Sequence, residues 1–131
     1  MADNKSFAYY DPKEKVIFVD LSDLTLTEPI LRRIASEVIQ LAKSLPEKVF
    51  MLTCWKNVKI DAEFGKYFPK LTAELLGYVR GIVRYDATEA LTRANIRTQT
   101  VRHHHQNTQS HLYTTREEAL AAVRKLEKEQ P

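Results

Sequence analysis

The fold is decided by two apolar runs, Val16-Ile17-Phe18-Val19 and Val49-Phe50-Met51-Leu52, and by the pattern between them. Both runs are apolar at every position, which is typical of strands covered on both faces of a sheet. The intervening segment has five apolar residues at spacings of three and four, the period of a helix face: Ile30, Ile34, Val38, Leu41 and Leu45. A strand, helix, strand unit joins parallel strands, so we predict that the two runs are neighbours in the middle of one sheet.

Upstream of the first run, Ser6 to Tyr10 has the composition of a short strand, and Asp11 to Lys15 that of a turn. We therefore predict a hairpin whose second arm is the Val16 run. Asp20 to Leu26 is expected to be an exit loop, and Thr27 the N-cap of the first helix.

Downstream of the second run, Asp61 is a candidate N-cap for a helix with Phe64, Phe68, Leu71 and Leu75 on one face. Pro69 is expected to kink or divide this helix. Val79 to Tyr85 alternates like a strand with one face less buried than the other, which predicts a place further out in the sheet.

Four elements are predicted in the C-terminal third. They are a weaker helix over Ala87 to about Val101, a polar connector over His103 to Ser110, a short strand around Leu112-Tyr113, and a last helix from Thr115. Thr115 and Glu118 have the spacing of a capping box. Strands and helices thus alternate along the chain. This predicts a single α/β domain over 1–131, with a mostly parallel central sheet of about five strands and helices packed on it.

Composition narrows the class of protein. The net charge is only +3 over 131 residues, which argues against nucleic acid as the main partner. No stretch approaches the roughly 20 apolar residues of a membrane span. The first residues lack the apolar core of a secretory signal, and the single cysteine, Cys54, has no partner in the chain. These features favour the cytoplasm.

The strand pattern leading through Val58-Lys59-Ile60 to Asp61, and the closing segment from Leu112 to Leu120, resemble a known family. The chain is similar to STAS-type domains, the fold of bacterial anti-sigma-factor antagonists, and in particular to their diverged SpoIIAA-like branch. The resemblance spans Val16 to Leu126 and is carried more by the order of elements than by any single motif. It implies a non-enzymatic regulatory role through protein binding.

The sequence departs from that family where the second helix starts. Members carry Asp-Ser-Ser-Gly there, with the second serine as the usual phosphate acceptor, whereas Ala62 and Glu63 stand at the serine positions. Neither residue can be phosphorylated, so a kinase-controlled switch at this position is not expected. The resemblance implies a partner-binding surface over Asp61, Ala62, Glu63, Phe64, Gly65 and Lys66.

An apolar ligand site is the alternative to a protein partner. Aromatic side chains are dense after the third strand, and pockets are mostly apolar with a few placed polar groups. This predicts a pocket for a small or lipid-like molecule, serving a carrier or a small enzyme and lined by Cys54, Trp55, Phe64, Tyr67 and Phe68. Cys54 as a nucleophile would need a lowered pKa and an oriented base, so a buried thiol is the simpler interpretation.

Four arginines form a candidate anion site: Arg80, Arg84, Arg93 and Arg97. Arginines at alternate strand positions share a face, as do arginines four apart on a helix, and together they would suit a carboxylate or phosphate. Surface charge paired with Asp86 and Glu89 is the competing interpretation. If the basic stretch from Arg80 to Arg102 bound nucleic acid, binding would weaken steeply with salt.

No catalytic, cofactor or metal centre is predicted. Consecutive histidines at His103 to His105 point in different directions, which does not suit a tetrahedral zinc site with His111. Phosphate-cradling and nucleophile-elbow motifs are absent, and the chain has only three glycines. The sequence therefore points to binding rather than catalysis and leaves open whether the protein forms a homodimer.

Overall fold

The structure, a computed structural model, describes residues 6–86 and 108–129. The strands are β1 (Ala8–Asp11), β2 (Val16–Asp20), β3 (Thr25–Leu26), β4 (Phe50–Cys54), β5 (Lys59–Ile60), β6 (Gly81–Tyr85) and β7 (Thr108–Tyr113). The helices are α1 (Glu28–Ser44), α2 (Phe64–Leu75) and α3 (Arg116–Glu129). The predicted helix over Ala87 to Val101 and the histidines at 103 to 105 lie outside the described residues.

The central sheet has the order β1-β2-β4-β6-β7 and is mixed. The edge strand β1 runs antiparallel to β2, as the predicted hairpin requires, and the other pairs are parallel. Val16 lies opposite Phe50 and Phe18 opposite Leu52, so the two apolar runs are parallel neighbours. The α/β class and the central pairing of these runs are confirmed.

Side chains of the central strands alternate between two faces. On one, Met51 and Ile82 pack with α1 and α2, and this is called the α1–α2 face. On the other, Leu52 and Val83 pack with α3, and this is called the α3 face. Helices therefore cover both surfaces of the sheet, which is why the two strand runs are apolar throughout.

Helix α1 begins after Thr27, as predicted, although the Thr27 hydroxyl makes no capping hydrogen bond. Its buried positions are Leu31, Ile34, Ala35 and Val38. The predicted division of α2 at Pro69 is wrong, because a single helix runs through this residue. The N-cap of α2 is Glu63 rather than Asp61.

Three further expectations need correction. The loop predicted over Asp20 to Leu26 contains β3, which pairs with β5 in a small parallel sheet. Strand β7 begins at Thr108, inside the segment predicted as a connector. Strand β6 lies further out than β2 and β4, as predicted, but it does not have a less buried face, because β7 flanks it and helices cover both of its faces. None of the described helices is both long and apolar enough to cross a bilayer.

Candidate functional site

Three aromatic rings pack together where β4 leads into α2. The Trp55 ring stands edge-on to Phe64 and Phe68, with centroids 6.5 and 5.8 Å away. Phe64 and Phe68, one helical turn apart, stack at 4.4 Å. Edge-to-face and offset stacked rings add about 0.5–1.5 kcal/mol per pair beyond the burial of their area. This aromatic cluster holds the first turns of α2 against the carboxyl end of the sheet.

The indole nitrogen of Trp55 has a partner inside the protein. Its N–H donates to the hydroxyl of Thr53 at 2.9 Å, and that hydroxyl donates to the carbonyl of Val83 at 3.4 Å. Thr53 is 3% exposed, so both polar groups are satisfied away from water. The chain of hydrogen bonds fixes the Trp55 ring over β4 and β6.

A cavity of about 40 Å³ lies between the α1–α2 face of the sheet and the two helices. Its walls are mostly apolar: Val19, Leu21, Leu31, Ile34, Ala35, Met51, Thr53, Trp55, Phe68, Leu71, Thr72, Leu75, Ile82 and Arg84. A single water needs roughly 10–15 Å³, and a cavity of about 150 Å³ holds benzene. The volume therefore suits a few waters or one compact polar group, and a larger molecule needs the helices to part.

Arg84 is the charged residue among the described residues that line this cavity. It is 2% exposed and lies opposite Thr53 in the sheet, with its guanidinium carbon 5.8 Å from the centroid of the Phe68 ring. Moving a charge out of water costs several kcal/mol, so a buried arginine is a costly residue to retain. Burial lowers the pKa of Arg84 to about 10, and the side chain remains protonated at neutral pH.

Arg80 lies on the other side of the sheet. Its guanidinium carbon is 4.9 Å from the centroid of Phe50, which belongs to the core of the α3 face. The prediction that Arg80 and Arg84 share one face is therefore wrong. Arg80 precedes the first residue of β6, so the alternation of the strand does not govern its direction. The other two residues of the predicted anion site, Arg93 and Arg97, lie outside the described residues.

Cys54 faces away from the cavity. It follows Thr53 on β4 and therefore points to the α3 face, where it forms a hydrogen bond with Tyr85. Burial, followed by the negative charges of Asp20 and Asp86, raises the pKa of the Cys54 thiol above its ordinary value. The thiol is protonated at neutral pH, which does not suit a nucleophile.

The predicted partner surface lies at the start of α2. Asp61 accepts a hydrogen bond from the Glu63 N–H at 3.1 Å and another from the Tyr67 hydroxyl at 2.7 Å. Ala62, Glu63, Gly65 and Lys66 are exposed, and Lys66 forms an ion pair with Glu63 at 3.0 Å. Phe64 is buried beneath them. The six residues thus combine an exposed charged turn with an apolar anchor.

The structure brings together part of the predicted ligand pocket. Trp55 and Phe68 line the cavity, and Phe64 packs against both of them. Tyr67 instead directs its hydroxyl to Asp61, and Cys54 lies on the opposite face. Sequence reasoning missed the contributions of α1 and of Thr53. The available signal was the alternation along β4 and β6, which places Thr53 on the same face as Met51 and Arg84 on the same face as Ile82.

Within residues 6–86 and 108–129, the structure contains no group of three or more side chains suited to holding a metal ion. No protein-family model matches the sequence, and comparisons with curated proteins and with solved structures found no match.

Proposed function

We propose that this protein is a non-enzymatic cytoplasmic binding module of the SpoIIAA-like, STAS type, with about five mostly parallel sheet strands. It binds a small, largely apolar ligand between the sheet and helices α1 and α2. The observation that carries this function is the cavity beneath the two helices, whose described walls are apolar apart from Thr53, Thr72 and Arg84. Apolar walls with a few polar groups are the usual composition of small-molecule sites.

A surface groove supports access to the cavity. It measures about 250 Å³ and lies along α1 and α2, lined by Arg32, Ala35, Ser36, Ile39, Gln40, Leu71 and Glu74. Ala35 of α1 and Leu71 of α2 also line the cavity, so the groove and the cavity share the line of contact between the two helices, called here the helix seam. A ligand that separates α1 from α2 along this seam can occupy both the cavity and the groove.

Titration with straight-chain alcohols from 1-hexanol to 1-decanol tests this function, with Trp55 fluorescence as the readout. Trp55 is the only tryptophan and lines the cavity, so a bound alcohol changes its environment. We expect a saturable change for the protein and for Ala73→Leu, which adds the same carbons at an exposed position of α2. Ala35→Leu fills the seam and is expected to weaken binding at least tenfold. The absence of saturable binding by every alcohol would contradict the proposal.

A protein partner is the second candidate function. The observation that favours it is the exposed Glu63–Lys66 ion pair, which lies beside the buried Phe64. The resemblance to anti-sigma-factor antagonists supports a partner of the anti-sigma-factor class. Calorimetric titration with an anti-sigma factor is expected to give binding that Glu63→Lys weakens and that Glu74→Lys, further along α2, leaves unchanged. Equal affinity for both variants would exclude this surface.

A further inference from the structure

A surface groove of about 670 Å³ lies along α3, beside the outermost strand β7. Its described walls are one residue of β7 and six of α3: Tyr113, Glu118, Ala121, Ala122, Lys125, Leu126 and Glu129. The buried stripe of α3 lies elsewhere on the helix, since Ala119 and Val123 pack into the core of the α3 face. Ala121 and Lys125, by contrast, are exposed. The helix therefore has a second flank, separate from the one that packs on the sheet.

The charges on this flank are placed so that a second copy of the helix complements the first. Residues three, four and seven apart share one side of a helix. Glu118 is three residues before Ala121, and Lys125 is three residues after Ala122. A twofold axis between the two alanines relates α3 to an antiparallel α3 of a second copy. In this arrangement Glu118 of each copy lies opposite Lys125 of the other.

Other arrangements of two such helices place like charges opposite each other. A parallel pair in register would place Glu118 opposite Glu118 and Lys125 opposite Lys125. An antiparallel pair displaced by one helical turn would place Glu118 opposite Glu129. Like charges in opposite positions oppose association, so the charges of the groove favour one orientation and one register. The small side chains of Ala121 and Ala122 allow the two helices to approach closely at the axis.

We propose that this groove is a homodimer interface, in which the α3 helices of two copies of the chain pack antiparallel. Glu118 Oε1 accepts hydrogen bonds from the N–H and hydroxyl of Thr114, and in the dimer Oε2 accepts one from Lys125 of the other copy. Exposed ion pairs contribute little to affinity, so the two pairs set the orientation. Burial of the alanines and of Leu126 provides most of the affinity.

Sedimentation velocity of the full chain over the micromolar to millimolar range tests this interface. We expect the unaltered protein to pass from monomer to dimer as its concentration rises. Lys125→Glu places two carboxylates opposite each other at both ends of the interface. It is expected to raise the dissociation constant of the dimer at least tenfold. Glu118→Lys is expected to have the same effect, because it places two ammonium groups opposite each other.

Combining the two substitutions tests the pairing itself. The chain with both Glu118→Lys and Lys125→Glu again has opposite charges across the antiparallel axis, so its dimer is expected to be as stable as that of the unaltered protein. A loss of α3 stability would not be repaired by a second substitution. A one-to-one mixture of the two single variants is expected to form heterodimers, because every charge pair between the two chains is then attractive.

Glu117→Lys and Lys128→Glu are the matched controls. They make the same charge changes at exposed positions of α3 that are not among the walls of the groove, so each should leave the dissociation constant unchanged. A chain that stays monomeric over the whole concentration range overturns the proposal. A dimer that Lys125→Glu leaves intact also overturns it, and this variant keeps the bonds between Glu118 and Thr114, so the result does not depend on the folding of Glu118→Lys.

Discussion

Tyr67 and Asp61 join the start of α2 to the loop before it through one short hydrogen bond. Tyr67 is a buried residue whose hydroxyl donates to Asp61 Oδ1 at 2.7 Å, and the same oxygen accepts the Glu63 N–H at 3.1 Å. Burial and the nearby Asp61 carboxylate raise the pKa of Tyr67 above its ordinary value. We expect Tyr67→Phe to lower the free energy of unfolding by about 1.5 kcal/mol, because a hydrogen bond to a charged group is lost. Urea denaturation measures the change.

Tyr9→Phe is the control for this residue. Tyr9 is 47% exposed and stacks on Phe18, so loss of its hydroxyl is expected to change stability by less than about 0.5 kcal/mol. Asp61→Asn combined with Tyr67→Phe completes a double-mutant cycle, in which the two effects should be less than additive. Additive effects would show that the two side chains do not stabilise each other.

Arg84 shows how far residue patterns predicted the candidate site. Its place on a strand followed from the alternation of Val79 to Tyr85, and a role in anion binding was among the predictions. Its complete burial was not predicted, because arginine in an alternating strand is typical of a less buried face. That burial depends on Phe68 of α2 and on the flanking strand β7, which are distant in sequence. The burial of Arg84 is therefore set by tertiary packing and could not be predicted from the local sequence pattern.

Among the elements, α3 begins with a capping arrangement that depends on pH. The Thr115 hydroxyl accepts the Glu118 N–H at 3.1 Å, as the capping-box spacing predicts. The Glu118 carboxylate accepts from the N–H and hydroxyl of Thr114 at 2.9 and 2.6 Å, and these bonds lower the pKa of Glu118. Because the pKa of Glu118 is lower in the folded state, its ionised carboxylate stabilises the fold. This contribution is complete above the ordinary glutamate pKa of about 4.3. This stabilisation is lost as the pH falls through the lower folded value.

Glu118→Gln should therefore reduce the loss of stability on acidification, measured by urea unfolding between about pH 7 and pH 3. Glu117→Gln is the matched control, since it removes a carboxylate from the same turn and leaves the Thr114 bonds in place. Thr115→Ala is expected to lower the free energy of unfolding by about 1 kcal/mol, the usual effect of losing an N-cap side chain. Identical pH profiles for Glu118→Gln and Glu117→Gln would show that this carboxylate does not contribute.

Elements with a strong period were predicted from sequence, whereas the short strands β3 and β5 and the polar start of β7 were not. Strands β2 and β4 and helix α1 were predicted because their apolar residues repeat over a full strand or several helical turns. Strands β3 and β5 have two residues each, which is too short for any alternation to be visible. The start of β7 is polar, Thr108-Gln109-Ser110, and polar residues favour a loop unless a neighbouring strand supplies backbone partners.

The whole molecule is organised as two cores on opposite faces of one sheet, and the strands between them should couple their unfolding. Leu52 is fully buried on the α3 face, whereas Met51 and Trp55 are buried on the α1–α2 face. Leu52→Ala and Met51→Ala are each expected to lower the free energy of unfolding by about 2–5 kcal/mol, through lost burial and a residual cavity. Leu120→Ala, at a partly buried position of α3, should lower the free energy of unfolding by a smaller amount.

Trp55 fluorescence reports on the α1–α2 face only. A substitution on the α3 face that shifts this signal therefore measures the coupling between the two faces. In a single cooperative domain, Leu52→Ala must move the Trp55 fluorescence transition and the far-UV circular dichroism transition to the same lower urea concentration, although Leu52 and Trp55 lie on opposite faces. A fluorescence midpoint that stayed in place while the dichroism midpoint fell would mean that the α3 face unfolds independently. The α1–α2 face would then be stable without α3, because its packing would not depend on the strand residues that α3 covers.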